Sequence, residues 1–377
     1  MSTLQRSSRQ YFNYSNWLTL AWLLLLQGCQ PTNRSVTTAT HLLPTQVVAE
    51  TYTNPVLNAP FADPSIIRVA DGSFYAYATQ GIRAADSFTN VQIAHSTDLV
   101  NWQLLAKDAM PEKPHWTRKN QEIWAPDVIR DGHTYYLYFA SKHDSQNGMC
   151  LGVATSSSPE GPFVDAGAPL ICGNTFECID AQAFDDPATG KKLLYWGSAH
   201  LPLQVQELAD DRLHFKPGSQ PVALLDTARG TYANLIEAPY VVKRDNYYYL
   251  FYSGDNCCGD QAHYAVMVAR AKSAIGPFET LAKANGHQDR DTTLLKQSGA
   301  WLAPGHNAII RDDSGQDWIV YHAVNPADSK WTNADGSFKE VRKLLIDKIT
   351  YQHGWPTIEG GSPSQQPRPR PMIKRNR

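Results

Sequence analysis

The stretch WAPDVIRDGHTYYLYFAS, Trp124 to Ser141, places a carboxylate ahead of a short apolar run, a D-G turn and an aromatic strand. The pattern recurs four times. It reads ADPSIIRVADGSFYAYAT from Ala62, IDAQAFDDPATGKKLLYWGS from Ile179, EAPYVVKRDNYYYLFYSG from Glu237 and GHNAIIRDDSGQDWIVYHA from Gly305. Each copy is a β-hairpin signature, two strand-like runs joined by Asp, Asn or Gly. The lead residues Asp63, Asp127, Asp180, Glu237 and His306 follow one another at intervals of roughly 53–69 residues. A unit of that length with several short strands and little helical periodicity predicts an all-β, five-bladed β-propeller. AHSTDLVNW, VATSSSPEGPF and VARAKSAIGPF follow three of the hairpins as outer strands with their turns. RKLLIDKITYQHGWPTI, Arg342 to Ile358, is expected to supply a last strand sealing the ring.

In such a ring the innermost strands line a channel, and residues at their starts gather at one rim. The five lead residues, taken as equivalent, should therefore share a pocket. An Asp before a strand can also satisfy its own backbone in an Asx-turn. Several carboxylates at one rim weigh against that bland role, because like charges raise one another's pKa values. That arrangement suits hydrolysis of a glycosidic bond, in which one carboxyl protonates the leaving oxygen and another activates water.

The chain around these repeats has 377 residues, 42% hydrophobic and 19% charged, with a formal net charge of −2. That balance lacks the basic field a nucleic-acid partner requires. Residues 1–29 read as a signal peptide: Arg6 and Arg9 precede the apolar run Trp17 to Leu26, which is short for a membrane span. The run ends in L-Q-G-C and resembles a lipoprotein signal with Cys29 lipidated. Gln30 after the cysteine points to an outer-membrane lipoprotein. Residues 30–50 are expected to form a flexible tether, 51–361 the catalytic propeller, and 362–377 a disordered basic tail. Five cysteines remain. Cys172 with Cys178, or Cys257 with Cys258, could pair, and at least one thiol stays free.

NPVLNAPFADPSI, WAPDV, EAPYVV with YYYLFYS, and APGHNAII, in that order between about Asn54 and Pro363, resemble glycoside hydrolase family 43. Members of that family are five-bladed propellers acting on arabinose- and xylose-containing polysaccharides with inversion at the anomeric carbon. The resemblance implies Asp63 as general base, Glu237 as general acid, and Asp127 as the third carboxylate, orienting the acid and raising its pKa. Asp63 and Glu237 should then stand about 6.5–9.5 Å apart. It also implies that His306 lies in the channel beneath the site, either beside a structural calcium or as a hydrogen-bonded residue without metal; the chemistry requires no cofactor. Asp180 stabilises a turn or contacts substrate, and Trp124 and Phe61 stack on a sugar or pack between blades. SGDNCCGDQAHYAVMVARAKSAIGPF resembles the corresponding part of family arabinanases, and no accessory β-sandwich is expected after Gly361. Together these favour α-L-arabinofuranosyl linkages in arabinan or its oligosaccharides. β-Xylosidase or galactofuranosidase activity is the alternative within the family, and a non-catalytic carbohydrate-binding propeller the alternative outside it.

Overall fold

The computed structural model describes residues 50–84, 87–145, 147–259, 261–286, 292–332 and 338–374. The apolar N-terminal segment, Cys29 and residues 30–49 lie outside them. No helix among the described residues is long and apolar enough to cross a membrane. Five antiparallel sheets, three of four strands and two with a short fifth strand beside the four, account for most of the described residues. The innermost strands are Ser65–Arg68, Trp124–Asp131, Gln182–Asp185, Ile236–Arg244 and Leu302–Arg311. They touch in cyclic order, first to second and onward to the fifth, which touches the first. The ring is a five-bladed β-propeller.

The aromatic second strands follow from this packing. A blade is covered on both faces, so successive residues of one strand enter different interfaces. In Thr134–Lys142, Leu137 and Phe139 pack with Tyr77 and Ile93 of the first blade. Tyr138 and Ala140 pack instead with Leu194 and Trp196 of the third. Five such hydrophobic clusters separate the five pairs of neighbouring blades. Each large side chain buried there contributes about 1.5–3 kcal/mol. The D-G turn of the second blade is a two-residue loop, Asp131 pairing with Thr134, and Gly132 takes φ 59, a conformation in which a side chain would be strained.

Arg342–Ile358 is not a separate seal. It forms the third and fourth strands of the fifth blade, Arg342–Gln352 and Trp355–Ile358. The seal comes from the other end of the domain. Val56 and Leu57 donate backbone hydrogen bonds to the Leu344 carbonyl, and Phe61 N–H bonds the Arg342 carbonyl at 2.7 Å. Nor is the segment after Gly361 disordered as far as Lys374. Arg368–Pro369 pairs with Thr51–Tyr52, Ser364 is buried, and the Met372 and Lys374 amides donate to Asp312 and Asp313. Its prolines lie at a sheet edge and in loops, where no ladder donor is missed.

The cysteines pair as Cys150–Cys172 and Cys257–Cys258, leaving Cys178 buried and free. Of the two pairings open in the sequence, Cys172–Cys178 does not form, because strand register sets Cys172 directly opposite Cys150.

Candidate active site

Each inner strand has a residue in the left-handed region just before it or within its first half: Asp63 (φ 55), Ala125 (φ 46), Asp180 (φ 60), Ala238 (φ 51) and His306 (φ 46). Side chains other than glycine avoid that region unless the surroundings enforce it. Here the neighbouring blade does so. His322 Nδ1 accepts the Asp63 N–H at 3.0 Å, and Thr79 Oγ1 accepts that of Ala125 at 2.9 Å. Asp180 Oδ2 accepts the Ala238 N–H at 3.1 Å, and Ser253 Oγ that of His306 at 2.8 Å. These five residues are the true equivalents in the repeat. Asp127 stands two positions past its equivalent and Glu237 one before.

That offset decides which carboxylates meet. Asp63, Asp180 and Glu237 line one cavity of about 580 Å³ at the rim, together with His306, Arg342 and Ser198. Asp127 does not. Its Oδ2 accepts the Ala183 N–H at 2.9 Å, and it lines a separate cavity bounded by the far ends of the inner strands, Arg68, Arg130 and Lys243 among them. Burial lifts its pKa to about 7. The structure does not bring Asp127 into the cavity with Glu237; the third carboxylate there is Asp180.

The three rim carboxylates are held in different states. Burial alone would raise the Asp63 pKa. The Arg342 guanidinium at 2.7 Å from Oδ1, His306, His322 and the Thr79 hydroxyl at 2.5 Å from Oδ2 outweigh it and keep Asp63 well below the usual carboxylate range. Glu237 is shifted the other way, chiefly by burial and further by the charge of Asp63. Hydroxyls of Ser198 (2.6 Å) and Tyr264 (2.8 Å) donate to it and moderate the shift. Asp180 is raised by burial and by Glu237 and Asp63. The repulsion between Asp180 and Glu237 is mutual, so the pair titrates as a unit. One carboxylate held toward its ionised form and two shifted toward protonation therefore share one cavity.

Of the residues singled out in the sequence, Asp63, Glu237, Asp180, His306 and Trp124 line the cavity. Phe61 is fully buried between the fifth and first blades and cannot meet a sugar. Thr79, Ser198, Tyr264, His322 and Arg342 were missed. Three of them had a signal: Thr79, Ser198 and His322 close the second strand of their repeats, as Ser141 and Ser253 do.

The space beneath His306 decides whether calcium fits there. Beneath the rim lies a void of about 10 Å³, bordered by Ser65, Asp127, Asp180, His306 and Asn307. Ser65 Oγ and both polar atoms of the Asn307 amide are buried without protein partners. Calcium takes six to eight oxygens, and no three His, Cys, Asp or Glu side chains among the described residues converge on one point. The void matches one water-sized guest better than calcium, and no catalytic step is assigned to an ion.

The family model described as glycosyl hydrolases family 43 matches residues 52–356. The extracellular exo-alpha-(1->5)-L-arabinofuranosidase ArbA of Cellvibrio japonicus is 26% identical over 79% of this chain and 86% of its own. The beta-D-galactofuranosidase xynD of Aspergillus niger is 30% identical with the same coverage of both chains, 79% and 86%. A crystal structure of a thermostable family-43 glycoside hydrolase superposes with a TM-score of 0.67 at 25% identity, covering 86% of this chain and all of that one.

Proposed function

The chain belongs to glycosyl hydrolase family 43, and from that premise we propose that it cleaves α-L-arabinofuranosyl linkages in arabinan or arabino-oligosaccharides with inversion. One observation carries the reading: Asp63 is held ionised and Glu237 biased toward its protonated form within the same cavity. Asp63 takes a proton from the attacking water as the C–O bond breaks, and Glu237 gives its proton to the departing oxygen. The extracellular arabinofuranosidase relative supports arabinose as the sugar. The galactofuranosidase relative makes that sugar the nearest rival. The test is a panel of aryl arabinofuranosides, xylosides and galactofuranosides alongside linear arabinan, with proton NMR of the first product. Arabinofuranoside turnover releasing the inverted anomer is expected. A retained anomer would remove the water-activating role from Asp63.

Asp180 takes the third role. Its negative charge, when present, makes ionisation of Glu237 harder. Asp180→Asn deletes that charge, so Glu237 ionises at lower pH and the alkaline limb of kcat/KM moves toward acid. Asp127→Asn, whose side chain bonds the Ala183 amide away from the cavity, leaves the profile in place. A shift in the Asp127 variant with none in the Asp180 variant would reverse the assignment.

Two disulfides support export, since such bonds persist in oxidising compartments, and the arabinofuranosidase relative is named as extracellular. The L-Q-G-C sequence supports lipidation at Cys29 and anchoring at the outer membrane. Cys29→Ser is expected to move the protein from the membrane fraction to the soluble one. Equal membrane recovery of both forms would refute the anchor.

A further inference from the structure

We propose that Phe176 forms an aromatic subsite for the sugar unit adjoining the one cleaved, displayed on a loop that is braced for the purpose. The inference rests on the glycosidase reading above and extends it to a residue outside every repeat. Phe176 lines the catalytic cavity and is 52% exposed. A singly exposed phenylalanine needs no functional reason; this one is distinguished by what holds it.

The loop from Cys172 to Cys178 is fixed at several points. Cys172 is bonded to Cys150 in the second blade. Gly173 N–H bonds the Met149 carbonyl at 2.9 Å, and Met149 N–H bonds the Thr175 carbonyl at 2.7 Å. Glu177 folds back to accept the Asn174 amide at 2.5 Å, the Thr175 amide at 2.6 Å and the Thr175 hydroxyl at 2.7 Å. Gly173 and Gly148 approach their neighbours so closely that a Cβ on either would collide. None of these contacts buries the Phe176 ring. They set its position while leaving it open to the cavity.

The ring is also aligned. It lies within 8° of parallel to Trp124, with centroids 6.2 Å apart, and the Trp124 indole is oriented by a 3.0 Å hydrogen bond from Nε1 to Glu122. Parallel rings at that distance are offset rather than face to face, so the pair presents one extended apolar surface. A furanose ring shows C–H groups to such a surface and keeps its hydroxyls for polar partners. Because the loop is already ordered, little conformational entropy is lost when sugar binds. A monosaccharide at the cleavage point is held by the carboxylates. A longer chain gains the aromatic surface as well.

The experiment uses the full chain carrying Glu237→Gln, which binds without turning over, and the oligosaccharide series that the wild type hydrolyses. Affinities for monosaccharide and trisaccharide are measured calorimetrically with and without Phe176→Ala. The trisaccharide should weaken about tenfold more than the monosaccharide, the scale of one lost aromatic contact, and Phe176→Tyr should restore the difference. Equal weakening of both ligands would make Phe176 a prop of the cavity, and no weakening would leave it without a role; either result overturns the proposal. Failure of the glycosidase reading looks different, because the wild type would then hydrolyse no member of the panel.

Discussion

Glu237→Gln is expected to lower kcat on arabinan by about 10³-fold, within the range general acid catalysis supplies, while oligosaccharide binding stays measurable. The amide imitates the protonated carboxyl that burial favours. Its oxygen can still accept the Tyr264 hydroxyl and its NH₂ can donate to Ser198, so neither hydroxyl is orphaned. What the amide cannot do is release a proton to the departing oxygen. The loss should therefore depend on the leaving group. An alkoxide from a polysaccharide needs that proton, whereas a dinitrophenolate departs unaided. A dinitrophenyl glycoside should recover most of the lost rate in the variant, and measuring kcat across leaving groups of graded acidity checks this. A uniform loss at every leaving group would show that Glu237 acts through the shape of the cavity instead.

Why the ring was legible and the site only partly so follows from the range of the interactions involved. Hairpins are written locally: apolar runs, a turn and a return strand lie within about 20 residues, and the repetition announces the ring. Aligning the repeats on their acids puts Asp127 at the rim. The backbone instead aligns them on a residue with positive φ, which precedes proline in three of the five, Asp63-Pro64, Ala125-Pro126 and Ala238-Pro239. That frame puts Asp180 level with Asp63, and it sets Glu237 one step nearer the rim and Asp127 two steps deeper. The information was present in the chain; the chemical likeness of the carboxylates obscured it.

Other features had no local trace. Arg342 reaches Asp63 across 279 positions, and only ring closure brings the two together. The Cys150–Cys172 pairing depends on which residues face each other between two strands, a register that cysteine spacing does not contain. The proline-rich C-terminal segment has the composition of a flexible tail. Its order derives from Thr51–Tyr52 and from Asp312 and Asp313, partners far away in the sequence.

Asp63→Ala tests the opposite half of the chemistry, and a rate loss of about 10³-fold or more is expected from removing the base. Loss of rate alone would not separate a base from a binding residue, but the surroundings of Asp63 supply a sharper criterion. Removing the carboxylate leaves Arg342 without the acceptor it holds at 2.7 Å, and it leaves the Thr79 hydroxyl pointing into the vacated space. The site becomes a small, positively charged hollow where water stood ready but can no longer be deprotonated. Azide fits such a hollow, is drawn by the guanidinium and attacks without needing a base. Added azide should thus restore cleavage of an activated arabinofuranoside in Asp63→Ala, with the C–N bond forming on the face opposite the departing oxygen. The product, identified by NMR, is expected to be the inverted glycosyl azide. No such adduct should form in wild type, where the ionised carboxylate repels the anion. Rescue with retained configuration would place the nucleophile on the other face of the sugar, and Asp63 could not then be the group that activates water.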